Sequence, residues 1–173
     1  MSALVIYESM FGNNRDLAVA ISEGIATRIE VTTVEVGVAP VEVPEGVTLL
    51  VVGGPTHGFG MTRASTRRDA AKQAAPEPVI SAAIGIREWL EEARVQTVLD
   101  AAAWDTRVDR PAFLKLIDRS AEGMVKGLRR LGCSVVASPQ HFAVEGTKGP
   151  LVAGEVEHAR RWGEQLAGLV TSN

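Results

Sequence analysis

Along the chain, short runs of continuous or alternating apolar residues take turns with longer stretches whose apolar residues recur every three or four positions. The first pattern suits strands and the second one face of a helix, so their alternation predicts an α/β fold. ALVIY at 3–7 is apolar throughout, which suits a strand covered on both faces and therefore central. Behind it, Leu17, Ala18, Ile21 and Ile25 share one helical face. VTTVEV at 31–36 alternates and predicts an edge strand, while TLLVVGG at 48–54 is continuous and predicts a second central one. TVLDAAA at 97–103 and CSVVAS at 133–138 supply two more strands, with HFAVE beyond Pro139 as a candidate continuation. Two helices flank that last strand. Met124, Val125, Leu128 and Leu131 line one, and Val156, Ala159, Gly163, Leu166 and Val170 the other.

Five such strands joined by crossover helices predict a doubly wound parallel sheet of order 2-1-3-4-5 with helices on both faces. Two connections depart from a minimal plan. GVAPVEVPEG at 37–46 is too rich in proline and glycine for a full helix and predicts a loop. Residues 60–84 are long for a connection, with RASTRRDAAKQAA helix-like, PEP breaking it and GIREWLEEA resuming as a helix. A connection of that kind serves as a lid, a contact surface or a plain insertion.

Composition narrows the picture. With 173 residues and 46% hydrophobic residues, one domain spanning 1–173 is expected, its long connection at about 60–84 included. A net charge of −3 offers no electrostatic footprint for nucleic acid or a membrane surface, which leaves small molecules and other soluble proteins as partners. The lone Cys133 can form no internal disulfide, fits no metal spacing and reads as a buried apolar thiol at a strand start. With no basic, apolar leader ahead of the first strand and no membrane-length run, the expectation is a cytoplasmic protein in a reducing compartment.

In open α/β sheets, ligands bind beyond the carboxyl ends of strands where the order reverses. Three stretches sit there: ESMFGNN at 8–14, GPTHGFGMTR at 54–63 and WDTRV at 104–108. In the expected order these ends are neighbours and would enclose one crevice. The first loop has neither lysine nor arginine, yet exposed amides at a helix N-terminus can hold a phosphate without them.

The three loops together resemble those of flavodoxins, and the likeness covers most of the chain. It implies FMN as cofactor and no metal. By position, Ser9 would donate a hydroxyl to the phosphate, Gly12 would permit the tight turn, and the amides of Met10, Phe11, Gly12, Asn13 and Asn14 would form the cradle. Phe11 stands where the family usually has a hydroxyl, and Asn14 replaces its usual Thr or Ser. Pro55 and Thr56 match the stretch that packs against the flavin ring, with His57 as a ring neighbour and Phe59 as a cover for the ring or an anchor for the lid. A carbonyl beside Gly58 would turn toward flavin N5 on reduction. In the third loop, Trp104 would stack on the ring, while Asp105, Thr106 and Arg107 would reach its polar edge or the ribityl hydroxyls. Arg63, Arg67 and Arg68 would face incoming anions such as NADPH phosphates, or solvent. His141 and His158 carry no role.

The resemblance points first to an FMN electron-transfer protein working with a redox partner protein, and second to an NAD(P)H-dependent FMN or quinone reductase. A flavodoxin-like fold serving without cofactor as an interaction module is a third reading. A receiver domain would need an aspartate where Gly53 and Gly54 end the third strand, and a P-loop nucleotidase would need a GK[ST] signature. Ser9, His57 and Asp105 together suggest a hydrolytic triad, but Ser9 lacks a nucleophile-elbow context.

Overall fold

A computed structural model describes residues 1–109 and 119–171. The chain runs β1 (Ser2–Tyr7), α1 (Asn13–Ile25), β2 (Glu30–Glu35), β3 (Val47–Pro55), α2 (Ala64–Ala74), α3 (Ile86–Glu92), β4 (Asp100–Val108), α4 (Ser120–Leu131), β5 (Ser134–Val135), β6 (Gln140–Val144) and α5 (Glu155–Thr171). All the strand pairings are parallel and the order is β2-β1-β3-β4-β5, with β6 also on β4. The expected order therefore holds, with a sixth strand. β5 pairs with Asp100 and Ala101, and β6 with Trp104 to Val108, so one outer strand position is shared by two pieces separated around Pro139. Proline has no amide to give the ladder, which accounts for the gap.

The apolar strands bury both faces as their composition requires. Val5, Leu49, Val51 and Ala102 face α1 and α5, where Leu17, Ile21, Ala159 and Leu166 meet them. Leu4, Ile6, Leu50 and Val52 face the other way, onto Ile86, Trp89, Met124 and Leu128 of α3 and α4. Val156 lies outside this packing and is exposed. Between β2 and β3 there is no full helix, only a short 3-10 turn at Val36–Val38.

Two strands differ from their expected extents: β5 covers only Ser134–Val135 of the expected 133–138, and β4 is shifted and longer. β4 starts at Asp100 rather than 97 and continues through Val108, so WDTRV is strand, not loop. Its residues alternate between faces: Trp104, Thr106 and Val108 on one, Asp105 and Arg107 on the other. Cys133 is buried just before β5, and burial pushes its thiol up to about 11, far from thiolate chemistry.

Candidate functional site

The order reverses between β1 and β3, whose carboxyl ends deliver the loops 8–12 and 56–63 to one place. Beyond them lies a cavity of about 290 Å³, bordered by Phe11, Pro55, Thr56, His57, Gly58 and Thr106 among the residues singled out above. Val108, Val144 and Thr147 complete one wall. α2 closes another with Thr66, Asp69, Ala70 and Gln73, so the long connection roofs the crevice. Nothing in the local pattern distinguished those inward positions of α2.

The first loop is tightly built. Gly12 sits at φ +99°, the left-handed region that glycine enters at little cost, and it opens α1. The amides of the first helical turn, Asn13 and Asn14 among them, have no carbonyl partner within the helix. Ser9 Oγ accepts the Gly12 amide at 3.1 Å, which leaves its proton free to donate. The Ser9 amide donates to Ser81 Oγ at 3.0 Å, and the amides of Ser81 and Ile80 donate to the carbonyls of Ser9 and Met10. Met10 turns its side chain into a small apolar cluster with Ala70 and Val79, against which Phe11 packs.

Asn14 is buried and fully engaged. Its Nδ2 donates to Thr106 Oγ1 at 2.9 Å, and its Oδ1 accepts Trp104 Nε1 at 3.0 Å. Trp104 itself is buried in the core, its indole occupying the space beside its register partner Gly53, where a Cβ would come within 2.0 Å of the ring. The expected stacking role for Trp104 is therefore corrected: the ring fills the core beneath the crevice rather than lining it.

Asp105 and Arg107 need the same correction. Alternation turns both away from the cavity, onto the α4 face. Asp105 is fully buried, receives the Ala121 amide at 2.9 Å, pairs with Arg107 at 3.0 Å and lies 2.8 Å from His141 Nδ1. Arg107 also bonds Glu122 at 3.1 Å. Asp105 thus serves His141, to which the sequence reading gave no role, and the triad with Ser9 and His57 does not assemble.

The third-strand loop is a tight hairpin in which His57 and Gly60 exchange both backbone hydrogen bonds. Its central residues, Gly58 and Phe59, have φ of +55° and +68°, the type I′ arrangement. Glycine suits the first position, whereas a phenylalanine at positive φ is uncommon and strained. Phe59 stands 52% exposed at the rim, its carbonyl accepting the Arg119 amide. Burial and then the charge of Arg67 hold the His57 pKa below its ordinary value, favouring the neutral ring. On the cavity wall, Thr56 Oγ1 is a buried polar atom without a hydrogen-bond partner.

Beneath the roof lies a polar cluster that the pattern did not disclose. Glu8, at the end of β1, is buried. It accepts from Thr62 Oγ1 and, at 2.8 Å, from the Ile86 amide, tying together both ends of the long connection. Arg67 is buried too, donating to Thr62 Oγ1 at 2.9 Å and pairing with Glu88 at 2.9 Å, so it faces neither solvent nor an incoming anion. Burial pushes the Glu8 carboxyl up to about 7, against the opposing pull of Thr62, the Ile86 amide and Arg67. For Glu88 burial also pushes upward, but the hydrogen bonds and charge of Arg67 outweigh it and its pKa is lowered.

Solved structures share this architecture from end to end. A flavodoxin from the domain Archaea aligns at a TM-score of 0.67 and 16% identity, covering 99% of each chain. Flavodoxin 1 from Bacillus cereus aligns at 0.68 and 15%, covering 97% of this chain and 98% of that one. The fold is flavodoxin-like. A flavodoxin, WrbA-like protein from Agrobacterium tumefaciens aligns at 0.60 and 16%, over 99% of this chain and 98% of its own. No protein-family model matches the chain, and no curated protein does. Within this flavodoxin-like fold, no group of three or more His, Cys, Asp or Glu side chains among the described residues is arranged to hold a metal. Nor is any described helix long and apolar enough to cross a membrane.

Proposed function

We propose that the chain binds FMN in the roofed crevice and passes electrons to and from a redox partner protein in the cytoplasm. The observation that carries this reading is the joining of two features at one switch point: an open helix N-terminus behind Gly12, and a cavity whose wall holds the unpartnered Thr56 hydroxyl. The first fits a phosphate and the second a flat ligand with polar edges, so the residues present suit the cofactor. When bound, FMN supplies reversible electron transfer. The amides of Asn13 and Asn14 and the Ser9 hydroxyl would hold the phosphate, with Gly12 shaping the turn; Pro55, Thr56, His57 and Thr106 would meet the ring and ribityl chain. The hairpin at Gly58 and Phe59 can turn its central peptide, which would return Phe59 to negative φ and relieve its strain.

Electron transfer is preferred to hydride transfer from NAD(P)H because α2, which lines the crevice, offers no free central cation to a nucleotide phosphate. Arg67, the central cation of that helix, is already buried against Glu88. The test is the absorption spectrum of the purified protein after incubation with FMN, with mass spectrometry of the released cofactor. Flavin bands and recovered FMN are expected, with slow reduction by NADPH. Recovery of FAD, or no uptake at high micromolar FMN, would overturn the assignment.

A further inference from the structure

We infer that the Thr106 hydroxyl donates a hydrogen bond to an oxygen of the bound flavin and is held in that role by Trp104 acting through Asn14; this rests on the FMN reading above. An indole N–H can only donate, so the 3.0 Å bond from Trp104 Nε1 to Asn14 Oδ1 fixes which end of the side-chain amide faces the tryptophan. Asn14 Nδ2 therefore faces the other way and donates to Thr106 Oγ1 at 2.9 Å. A threonine hydroxyl has one proton and two lone pairs. With a lone pair taken by Asn14, the proton turns elsewhere, and it meets no acceptor among the described residues.

Thr106 is only 6% exposed and borders the cavity, so the cavity is the space left to that proton. The Thr56 amide donates to the Thr106 carbonyl at 3.2 Å, which brings the two threonines together on one wall. Their hydroxyls differ. Thr56 Oγ1 has no partner and can serve a ligand as donor or acceptor, whereas Thr106 is committed to donating. A buried O–H turned into the cavity favours a ligand oxygen and disfavours an N–H at the same point, since two facing donors would both go unpaired. The side chains of Trp104 and Asn14 act on the ligand only through this hydroxyl, and both are positioning residues.

The experiment measures the dissociation constant of FMN by flavin fluorescence quenching, for wild type, Thr106→Val, Thr106→Ser, Asn14→Asp and the double variant Asn14→Asp with Thr106→Val. Thr106→Val keeps the shape and removes the hydroxyl; it should weaken FMN about fivefold, as expected for loss of one hydrogen bond, and Thr106→Ser should recover most of that loss. A carboxylate introduced at position 14 accepts from both Trp104 and Thr106, so Asn14→Asp draws the Thr106 proton away from the ligand. Its charge also repels the phosphate, but equally with and without the hydroxyl, so the cycle removes that effect. Asn14→Asp should therefore cost about fivefold more in wild type than in Thr106→Val. If wild type binds no FMN, the FMN reading fails and takes this inference with it. The inference alone fails if wild type binds FMN and Thr106→Val binds it as tightly, if Thr106→Ser does no better than Thr106→Val, or if Asn14→Asp costs the same in both backgrounds.

Discussion

Glu8→Gln tests the buried cluster that fastens the long connection to the sheet. The Glu8 carboxyl is raised from 4.5 to about 7 in the folded protein, so between those values the folded state binds a proton that the unfolded chain has released. Its contribution to stability is complete below pH 4.5 and is lost as pH rises through 7. A displacement of this size corresponds to roughly 3 kcal/mol, and burial of the carboxylate leaves little solvent to screen it. Glutamine keeps the shape, can still accept the Ile86 amide, and does not ionise. In urea titrations at pH 5 and pH 8, wild type should lose about 1–2 M of midpoint through this group, given a slope of about 2 kcal/mol/M. Glu8→Gln should lose little. His57 acts in the opposite direction, because its lowered pKa contributes stability above 6.5 that is lost as pH falls. It is common to both proteins, so the difference between their pH slopes isolates Glu8. Parallel slopes would refute the reasoning.

Two further substitutions probe the site and its support. Gly12→Ala places a Cβ on a residue at φ +99°, 3.3 Å from the Arg15 guanidinium; it should weaken FMN at least tenfold and riboflavin far less, and equal losses in the same titration would point to general damage instead. Gly53→Ala drives a methyl group into the Trp104 ring at 1.9 Å and should cost about 3 kcal/mol or more, read as a fall in thermal midpoint of roughly 5–10 °C; an unchanged midpoint would mean the indole can leave its place.

The sheet was legible because its order follows from apolar runs that must be covered on both faces, and even the break at Pro139 announced itself through the missing amide. The loops at the strand ends were legible for the same reason, since topology alone brings Phe11, Thr56 and Thr106 to one cavity. Other parts depended on pairings across long stretches of sequence. Arg67 belongs to a charge run that looks like a solvated helix face, and only the convergence of Glu88 and the Glu8-bound Thr62 makes it a buried residue. The Lys148 carbonyl reaches the first loop across 135 positions of separation. WDTRV looked like a loop because its polar residues suggested solvent. Its strict alternation was the available sign of a strand, and the strand is tolerable there because Asp105 and Arg107 neutralise each other out of water.

The departure from the flavodoxin pattern at Asn14 is tied to a tryptophan in β4. Asn14 stands where a short hydroxyl is usual, and Trp104 stands in β4 next to a glycine. A buried indole N–H needs an acceptor, and Thr106, two residues further on the same face, presents an oxygen that can accept. A side-chain amide offers an acceptor and a donor on one planar group, and Asn14 spends its Oδ1 on Trp104 and its Nδ2 on Thr106. A serine or threonine hydroxyl has the chemistry for both bonds but not the reach to span two residues of a strand. The asparagine is thus accounted for by the tryptophan below it rather than by a phosphate above it. Its remaining contribution to a ligand is the backbone amide, so the loss of a hydroxyl at this position does not weaken the case for a cradle made chiefly of backbone groups.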